Sequence, residues 1–315
     1  MHDRAYGPSP IAVFAYRRPT HLKNALAALK ACPEFAASPV FIYIDGPKSS
    51  AVWEAVDETA QVAMGFAARN VTIVRQDANR GLATSIITEV TALCARYGRV
   101  IVMEDDLIVH PATLTWLNMG LDAYADDPRV MQISAYQYLV PEFESRIEGT
   151  FQRFTTTWGW ATWKRAWDQF DASATGWEAV AEPGPAQTAL DAGGVYPFSS
   201  MLLKQMNGQL DSWGIRWFWS VHNAGGLAIM PPRTLVRNDG IATAATHNSI
   251  GPLKAWVQGR PPKPWEKEGA PILPDEVALV PTDEAAFRRG LLRTHAMRNH
   301  RVKKVLAGVG WKRFA

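Results

Sequence analysis

The sequence has few cysteines, no long apolar run and no large excess of charge of either sign. Its 315 residues include only two cysteines, Cys32 and Cys94, far apart in the chain. This argues against a disulfide framework or a cysteine zinc site and is typical of a reducing compartment. No apolar run approaches the roughly 20 residues that span a bilayer, and the N-terminus lacks the apolar core of a secretory signal. These absences predict a cytoplasmic protein.

Phosphate-binding glycine motifs are also missing. GxGxxG does not follow the first predicted strand, and GxxxxGK[ST] occurs nowhere in the chain, which argues against a dehydrogenase and against a P-loop enzyme. The formal net charge is only +3, so nothing suggests a nucleic-acid partner. A diphosphate bound by this chain would have to be held by a metal ion and basic side chains.

What the sequence does contain is an alternation of apolar strands and helical patterns. Strands are predicted at Pro10–Ala15, Val40–Ile44, Val71–Val74 and Val100–Met103, with a helix in each interval. Short connections between such elements are typical of an α/β fold with a mostly parallel sheet flanked by helices. Ligands of these sheets bind outside the carboxyl ends of the strands.

Three consecutive carboxylates, Glu104, Asp105 and Asp106, follow the fourth predicted strand directly. Crowded beside an apolar core they would repel one another and resist ionisation, and a hard divalent cation such as Mg²⁺ or Mn²⁺ would relieve the repulsion. The alternative is a solvated acidic turn. The triplet by itself does not decide between them.

Polar features also follow the other predicted strands. Arg17 comes after the first strand, Asp45 after the second, and the turn Asn79-Arg80-Gly81 after the third. Because the carboxyl ends of parallel strands meet at one edge, these groups and the acid triplet are expected to converge there. Their convergence favours a ligand site over a solvated turn.

The second half contains two unusual segments. Thr155–Trp167 holds four tryptophans, which indicates either an aromatic cluster covering the sheet or a surface that contacts a ligand. Arg288–Arg313 is rich in Arg and Lys and has no acidic residue. A basic amphipathic helix of this kind suits an anionic membrane surface, and a helix docked on the protein body is the alternative.

Taken in order, several motifs resemble those of GT-A fold glycosyltransferases. They are Tyr16-Arg17-Arg18-Pro19, Ile44-Asp45, Glu104-Asp105-Asp106, Gly159-Trp160 and Asp211-Ser212-Trp213, spread over roughly residues 9–250. The pattern is most similar to Golgi-type N-acetylglucosaminyltransferases that act on mannose and to bacterial sugar-transferase relatives. The resemblance implies a Rossmann-like GT-A sheet, with a nucleotide-sugar half at 1–135, an acceptor half at 136–250 and a Pro-rich wrap with a basic helix at 251–315.

The resemblance also implies roles for individual residues. Asp106 would coordinate Mn²⁺ or Mg²⁺, with His247 as a second candidate ligand, and Asp211 would be the general base. Asp45 would accept a hydrogen bond from uracil N3–H, and Asp105 would approach the ribose. The residues expected to bind the UDP-sugar are Ala15, Tyr16, Arg17, Asp45, Asn79, Arg80, Gly81, Ser85, Glu104, Asp105, Gly159 and Trp160.

The function expected is metal-dependent, inverting transfer of a sugar from a UDP-sugar to a glycan or glycolipid hydroxyl, with peripheral membrane contact through the basic helix. A sugar-nucleotide nucleotidyltransferase is one alternative, although a glycine-rich basic loop after the first strand is absent. A non-catalytic carbohydrate-binding module is another, and the acids at positions 105, 106 and 211 argue against it.

Overall fold

A central sheet organises the computed structural model, which describes residues 7–240 and 263–308. Ten strands occur in the described parts of the chain. They are β1 (Ile11–Ala15), β2 (Val40–Ile44), β3 (Val71–Arg75), β4 (Arg99–Glu104), β5 (Leu107–Val109), β6 (Val130–Ser134), β7 (Thr150–Gln152), β8 (Trp160–Trp163), β9 (Leu227–Met230) and β10 (Val236–Asn238).

Eight of these strands form one sheet in the order β3-β2-β1-β4-β8-β6-β9-β7, and β5 pairs with β10 separately. Neighbouring strands from β3 to β4 are parallel, as are β6 and β9. Within the eight-stranded sheet, β8 and β7 run antiparallel to their neighbours, and β5 and β10 are also antiparallel. The predicted α/β fold with a mostly parallel sheet is therefore confirmed.

Helices cover the sheet. Those in the described residues are α1 (Pro19–Lys30), α2 (Trp53–Met64), α3 (Leu82–Tyr97), α4 (Thr113–Ala123), α5 (Lys164–Trp167), α6 (Pro185–Leu190), α7 (Phe198–Met206), α8 (Trp213–Asn223) and α9 (Pro281–Gly308). Local chemistry sets several of their ends. Helix α3 ends at Gly98, whose φ of 76° is left-handed, and the Ser212 hydroxyl caps α8 by accepting from the Ile215 N–H.

The bounds of the strands follow the apolar runs of the sequence closely. The strand predicted at Val40–Ile44 is observed with the same bounds, because it is a continuous buried apolar run. Helix α1 begins at Pro19, whose fixed φ suits a first helical position.

The second half of the chain completes the sheet that the first half begins. Strand β8 lies between β4 and β6, so the expected division at residue 135 passes through a single sheet. The two halves nevertheless contribute different parts of its carboxyl edge. The division into functional halves stays a prediction.

The start of α9 is docked on the protein body. Phe287 and Leu291 are fully buried, and Arg289 Nε donates to Glu142 Oε1 at 2.9 Å. This is the docked arrangement considered as an alternative to membrane contact, at least for these first turns. Within 7–240 and 263–308, no helix has the length and apolar character needed to cross a membrane.

Candidate functional site

A cavity of about 320 Å³ lies at the carboxyl edge of β1, β2 and β4. Its volume is within the range of about 300–1,000 Å³ that is usual for small-ligand sites. Seven of the expected ligand-binding residues line it together with Asp106. Its full lining is Phe14, Ala15, Tyr16, Arg17, Arg18, Tyr43, Asp45, Gln76, Leu82, Ser85, Glu89, Glu104, Asp105 and Asp106.

The acid triplet forms one wall. Glu104 ends β4, and Asp105 and Asp106 form the turn into β5. Burial, reinforced by the two neighbouring aspartates, raises the pKa of Glu104 to about 8. Burial also raises the pKa of Asp105 to about 7, with the nearby Arg18 opposing the shift. The electrostatic crowding expected from the sequence is therefore present in the fold.

Arg18, rather than Arg17, contacts these acids. Its Nη1 lies 2.7 Å from Asp106 Oδ2 and 3.7 Å from Asp105 Oδ1. Arg17 lines the cavity with its guanidinium 5.7 Å from the centre of the Tyr16 ring. Arg18 was missing from the expected site residues, although it belongs to the motif that pointed to Arg17.

A second contribution that was missed comes from the end of β10. The Asn238 Nδ2 group lies 3.3 Å from Asp106 Oδ1, and the Asp239 N–H donates to the Asp106 backbone oxygen at 2.8 Å. A Cβ atom at Gly240 would collide with Asp106 Oδ2 and lie 2.9 Å from Arg18 Nη1. Only glycine fits against this ion pair without a shift. The candidate metal ligand His247 lies outside the described residues.

Both carboxylate oxygens of Asp45 accept hydrogen bonds that hold the turn at residues 79–81. Its Oδ1 accepts from the Gly46 and Arg80 N–H groups at 3.0 and 2.7 Å. Its Oδ2 accepts from Asn79 Nδ2 and the Gly81 N–H at 2.8 and 2.9 Å. A carboxylate has about four acceptor positions, so a uracil N3–H would have to displace one of these donors. In this structure Asp45 therefore positions the 79–81 turn, and direct contact with uracil stays a prediction.

Asp45→Ala should lower the free energy of unfolding by about 3 kcal/mol or more, because several donors at a partly buried turn lose their acceptor together. Urea denaturation followed by circular dichroism measures this. Asp57→Ala is the control, because Asp57 forms a surface ion pair with Arg75 at 2.8 Å; its transition midpoint should stay close to wild type. Equal midpoints for the two variants would contradict the positioning role of Asp45.

Ser85 supplies an unused polar group. This residue lies on α3, lines the cavity and is only 8% exposed. Its Oγ has no hydrogen-bond partner in the part of the chain that the structure describes. Since buried hydroxyls are normally bonded, this one is available to a ligand.

Gly159 and Trp160 pack the sheet beside the cavity. A Cβ atom at Gly159, where φ is 67°, would lie 3.4 Å from Met103 Sδ, so this glycine abuts the end of β4. Trp160 is fully buried and stacks on Trp213 with ring centres 5.1 Å apart. Trp160 therefore belongs to the aromatic cluster that covers the sheet, and its expected contact with the UDP-sugar stays a prediction.

Asp211 lies outside the cavity but at the same edge of the sheet. It immediately precedes the N-terminus of α8, and α8 runs back to the start of β9, which places that N-terminus at the carboxyl edge. Its side chain is 74% exposed and lies 3.6 Å from Arg216 Nη2. The structure thus leaves Asp211 open to solvent, and its role as a base stays a prediction.

Asp105 and Asp106 suit a metal ion that is also coordinated by a bound ligand, rather than one coordinated by protein side chains alone. Among the described residues, no group of three or more His, Cys, Asp or Glu side chains could hold a metal ion. Asp105 and Asp106 do face a polar cavity, and carboxylate oxygens are preferred by Mg²⁺ and Mn²⁺. A cation here would need further oxygens from a bound ligand and water.

No protein-family model and no curated protein sequence matches the chain. Solved structures with similarity include the mannosyltransferase PcManGT from Pyrobaculum calidifontis, in complex with GDP-Man and Mn²⁺. It is 13% identical, with 98% of this chain and 88% of that chain covered and a TM-score of 0.39. The galactosyltransferase LgtC, with donor and acceptor sugar analogues, is 10% identical over 70% and 72%, with a TM-score of 0.36.

A 4-diphosphocytidyl-2C-methyl-D-erythritol synthase from Anaerococcus prevotii is also similar. It is 10% identical over 71% of this chain and 86% of that chain, with a TM-score of 0.34. These scores are low, and the similarities reach enzymes of more than one activity. The site of this chain must therefore carry the functional argument.

Proposed function

We propose that the chain is a metal-dependent glycosyltransferase that moves a sugar from a UDP-sugar to a hydroxyl group of a glycan or glycolipid. One observation carries the proposal. A single cavity brings the buried carboxylates of Asp105 and Asp106 together with the side chains of Arg17 and Arg18. The arginines suit a diphosphate, whereas the carboxylates would repel it. Both can contact one ligand when a divalent cation bridges the acids and the phosphates.

The donor would then occupy the cavity in a defined direction. Asp106 would hold the cation, Asp105 would face the ribose, and Arg17 would contact the diphosphate. Ala15, Tyr16 and Ser85 would line the nucleoside, next to the turn that Asp45 fixes. When bound, the cation would stabilise the negative charge that develops on the leaving diphosphate.

The acceptor would approach from the side of Asp211. In the proposal this exposed carboxylate accepts the proton of the attacking hydroxyl. Attack on the sugar C1 opposite the diphosphate displaces it in one step and inverts the configuration at C1. The pair of carboxylates that flank the bond in glycoside hydrolases is not needed for this reaction.

A donor screen tests the proposed activity. Release of nucleoside diphosphate is measured with Mn²⁺ across common UDP-sugars, with GDP-mannose included and with slow hydrolysis followed in the absence of acceptor. Mn²⁺-dependent release of UDP from one donor is expected. Release of pyrophosphate from a nucleoside triphosphate would instead identify a nucleotidyltransferase. Metal-independent glycan binding with no turnover would identify a binding module.

Peripheral membrane contact is a separate part of the proposal. The basic segment Arg288–Arg313 begins on α9, and several large apolar side chains of the protein are exposed. Val280 and Leu292 are 46% and 48% exposed, and Ile147 and Ile272 are 45% and 51% exposed. Positive charge together with exposed apolar side chains suits an anionic bilayer.

Sedimentation with lipid vesicles tests this contact. The full chain should sediment with vesicles of phosphatidylcholine and phosphatidylglycerol at 3:1, less with phosphatidylcholine alone, and less at high salt. Ile272→Ser should weaken sedimentation several-fold. Met64→Ser, which changes a residue of similar exposure on α2 (54%), is the control. Equal sedimentation of the two vesicle types would reject an electrostatic contact.

A further inference from the structure

We propose that Arg18 competes with the divalent cation for the acid pair. In the absence of the cation its guanidinium neutralises Asp105 and Asp106, and when the cation binds, this side chain turns into the cavity to contact the donor diphosphate. The proposal rests on the proposed function, because it assumes that a cation binds Asp106. It adds a residue that links metal binding to donor binding.

The contacts place Arg18 where the cation would be needed. Its Nη1 is 2.7 Å from Asp106 Oδ2 and 3.7 Å from Asp105 Oδ1, while the two carboxylate side chains are only 10–11% exposed. Within the described residues, Arg18 is the one basic side chain paired with these acids. The acid pair is therefore compensated by an arginine before any metal binds.

Arg18 and a metal ion cannot occupy this position together. A Mn²⁺ or Mg²⁺ ion bound to Asp106 would lie about 2.0–2.2 Å from a carboxylate oxygen, beside the present position of Nη1. The cation and the Arg18 guanidinium would then be two positive groups beside the same carboxylate, and they would repel each other strongly in a partly buried site. The cation must therefore displace the guanidinium.

The arginine can leave without disturbing the fold. Its side chain is 47% exposed, and its backbone is held separately, because the Arg18 carbonyl oxygen accepts from the Leu22 N–H at 3.0 Å. Gly240 closes one side of the ion pair, since a Cβ there would lie 2.9 Å from Nη1. The cavity is the side that is open, and Arg18 already lines it.

The same cavity shows a second sign that it receives a polar ligand. The Ser85 hydroxyl is buried, lines the cavity and has no partner among the described residues. A guanidinium released into this space could bind phosphate oxygens through two parallel N–H groups. One side chain would thereby weaken metal binding in the absence of donor and strengthen donor binding in the presence of metal.

Manganese binding without nucleotide tests the competition. Free Mn²⁺ is titrated by electron paramagnetic resonance for the wild-type chain, Arg18→Gln and Arg17→Gln, with circular dichroism as a check of folding. Arg18→Gln should bind Mn²⁺ about tenfold more tightly than wild type, because the competing charge is gone. Arg17→Gln removes a charge from the same cavity without a contact to the acids, so its Mn²⁺ affinity should stay near wild type.

Donor binding gives the second readout. In saturating Mn²⁺, Arg18→Gln should bind UDP about tenfold more weakly by calorimetry, and Arg18→Lys should lie between it and wild type. Unchanged or weaker Mn²⁺ binding by folded Arg18→Gln would overturn the competition, even if wild type binds Mn²⁺ and UDP normally. If wild type binds no Mn²⁺ even with UDP, the proposed metal-dependent function fails as well.

Discussion

Asp106→Ala is expected to abolish Mn²⁺-dependent binding of UDP, with a loss of at least about 100-fold in affinity. Asp106 lines the cavity from the β4–β5 turn and is 8% exposed. Removing it leaves Asp105 as the nearest carboxylate for a cation that must also bind the diphosphate. Calorimetric titration of UDP with Mn²⁺, and again with a chelator, measures the metal-dependent part of the affinity.

A matched control separates this effect from a general loss of an aspartate. Asp127 pairs with Arg129 at 2.6 Å just before β6, which places it at the amino edge of the sheet, away from the cavity. Asp127→Ala should retain metal-dependent UDP binding. If Asp106→Ala also retained it at wild-type strength, the assignment of Asp106 as the metal ligand would be wrong.

Asp211→Asn should lower turnover by about two orders of magnitude or more while leaving donor binding almost unchanged. The first effect is the usual scale for the loss of a general base. The second follows because Asp211 does not line the donor cavity. Single-turnover measurements with donor and acceptor give the chemical rate, and calorimetry gives the UDP affinity.

The control for this variant is Asp168→Asn. Asp168 is 55% exposed and forms an ion pair with Lys164 four residues earlier. Like Asp211 it is a solvent-exposed aspartate, but it is not expected to act as the general base. Its turnover should match wild type. Wild-type turnover by Asp211→Asn would place the base elsewhere, and loss of UDP affinity in that variant would show that Asp211 supports the donor site.

A strand could be predicted from the sequence where its own residues form an apolar run. Val40–Ile44 is a continuous apolar run and appears as a strand with those bounds, because both faces of a largely parallel sheet are covered. Strand β8 could not be found in this way. Its residues Trp160–Trp163 have the composition of an aromatic cluster, and its position between β4 and β6 depends on pairing between distant parts of the chain.

Some features of the candidate site could likewise be predicted from the sequence, and others could not. Convergence of the strand ends on one cavity followed from the alternation of elements. The choice of Arg18 over Arg17 did not, because adjacent residues at a strand–helix junction point in different directions. Asn238 and Gly240 reach Asp106 only through the pairing of β10 with β5. The burial of Trp160 was likewise a property of packing and not of residue type.

The position of β8 has a consequence for how the protein is made. Strand β4 pairs with β1 on one side and with β8 on the other, and β6 pairs with β8 and β9. During synthesis, the strand that carries the acid triplet therefore has one unpaired edge until residue 163 has emerged. Non-local pairing of this kind slows folding and exposes strand edges to aggregation. We therefore expect the nucleotide-binding edge, although encoded in the first third of the chain, to become rigid only after the aromatic segment has joined the sheet, as pulse-labelled hydrogen exchange during refolding would show.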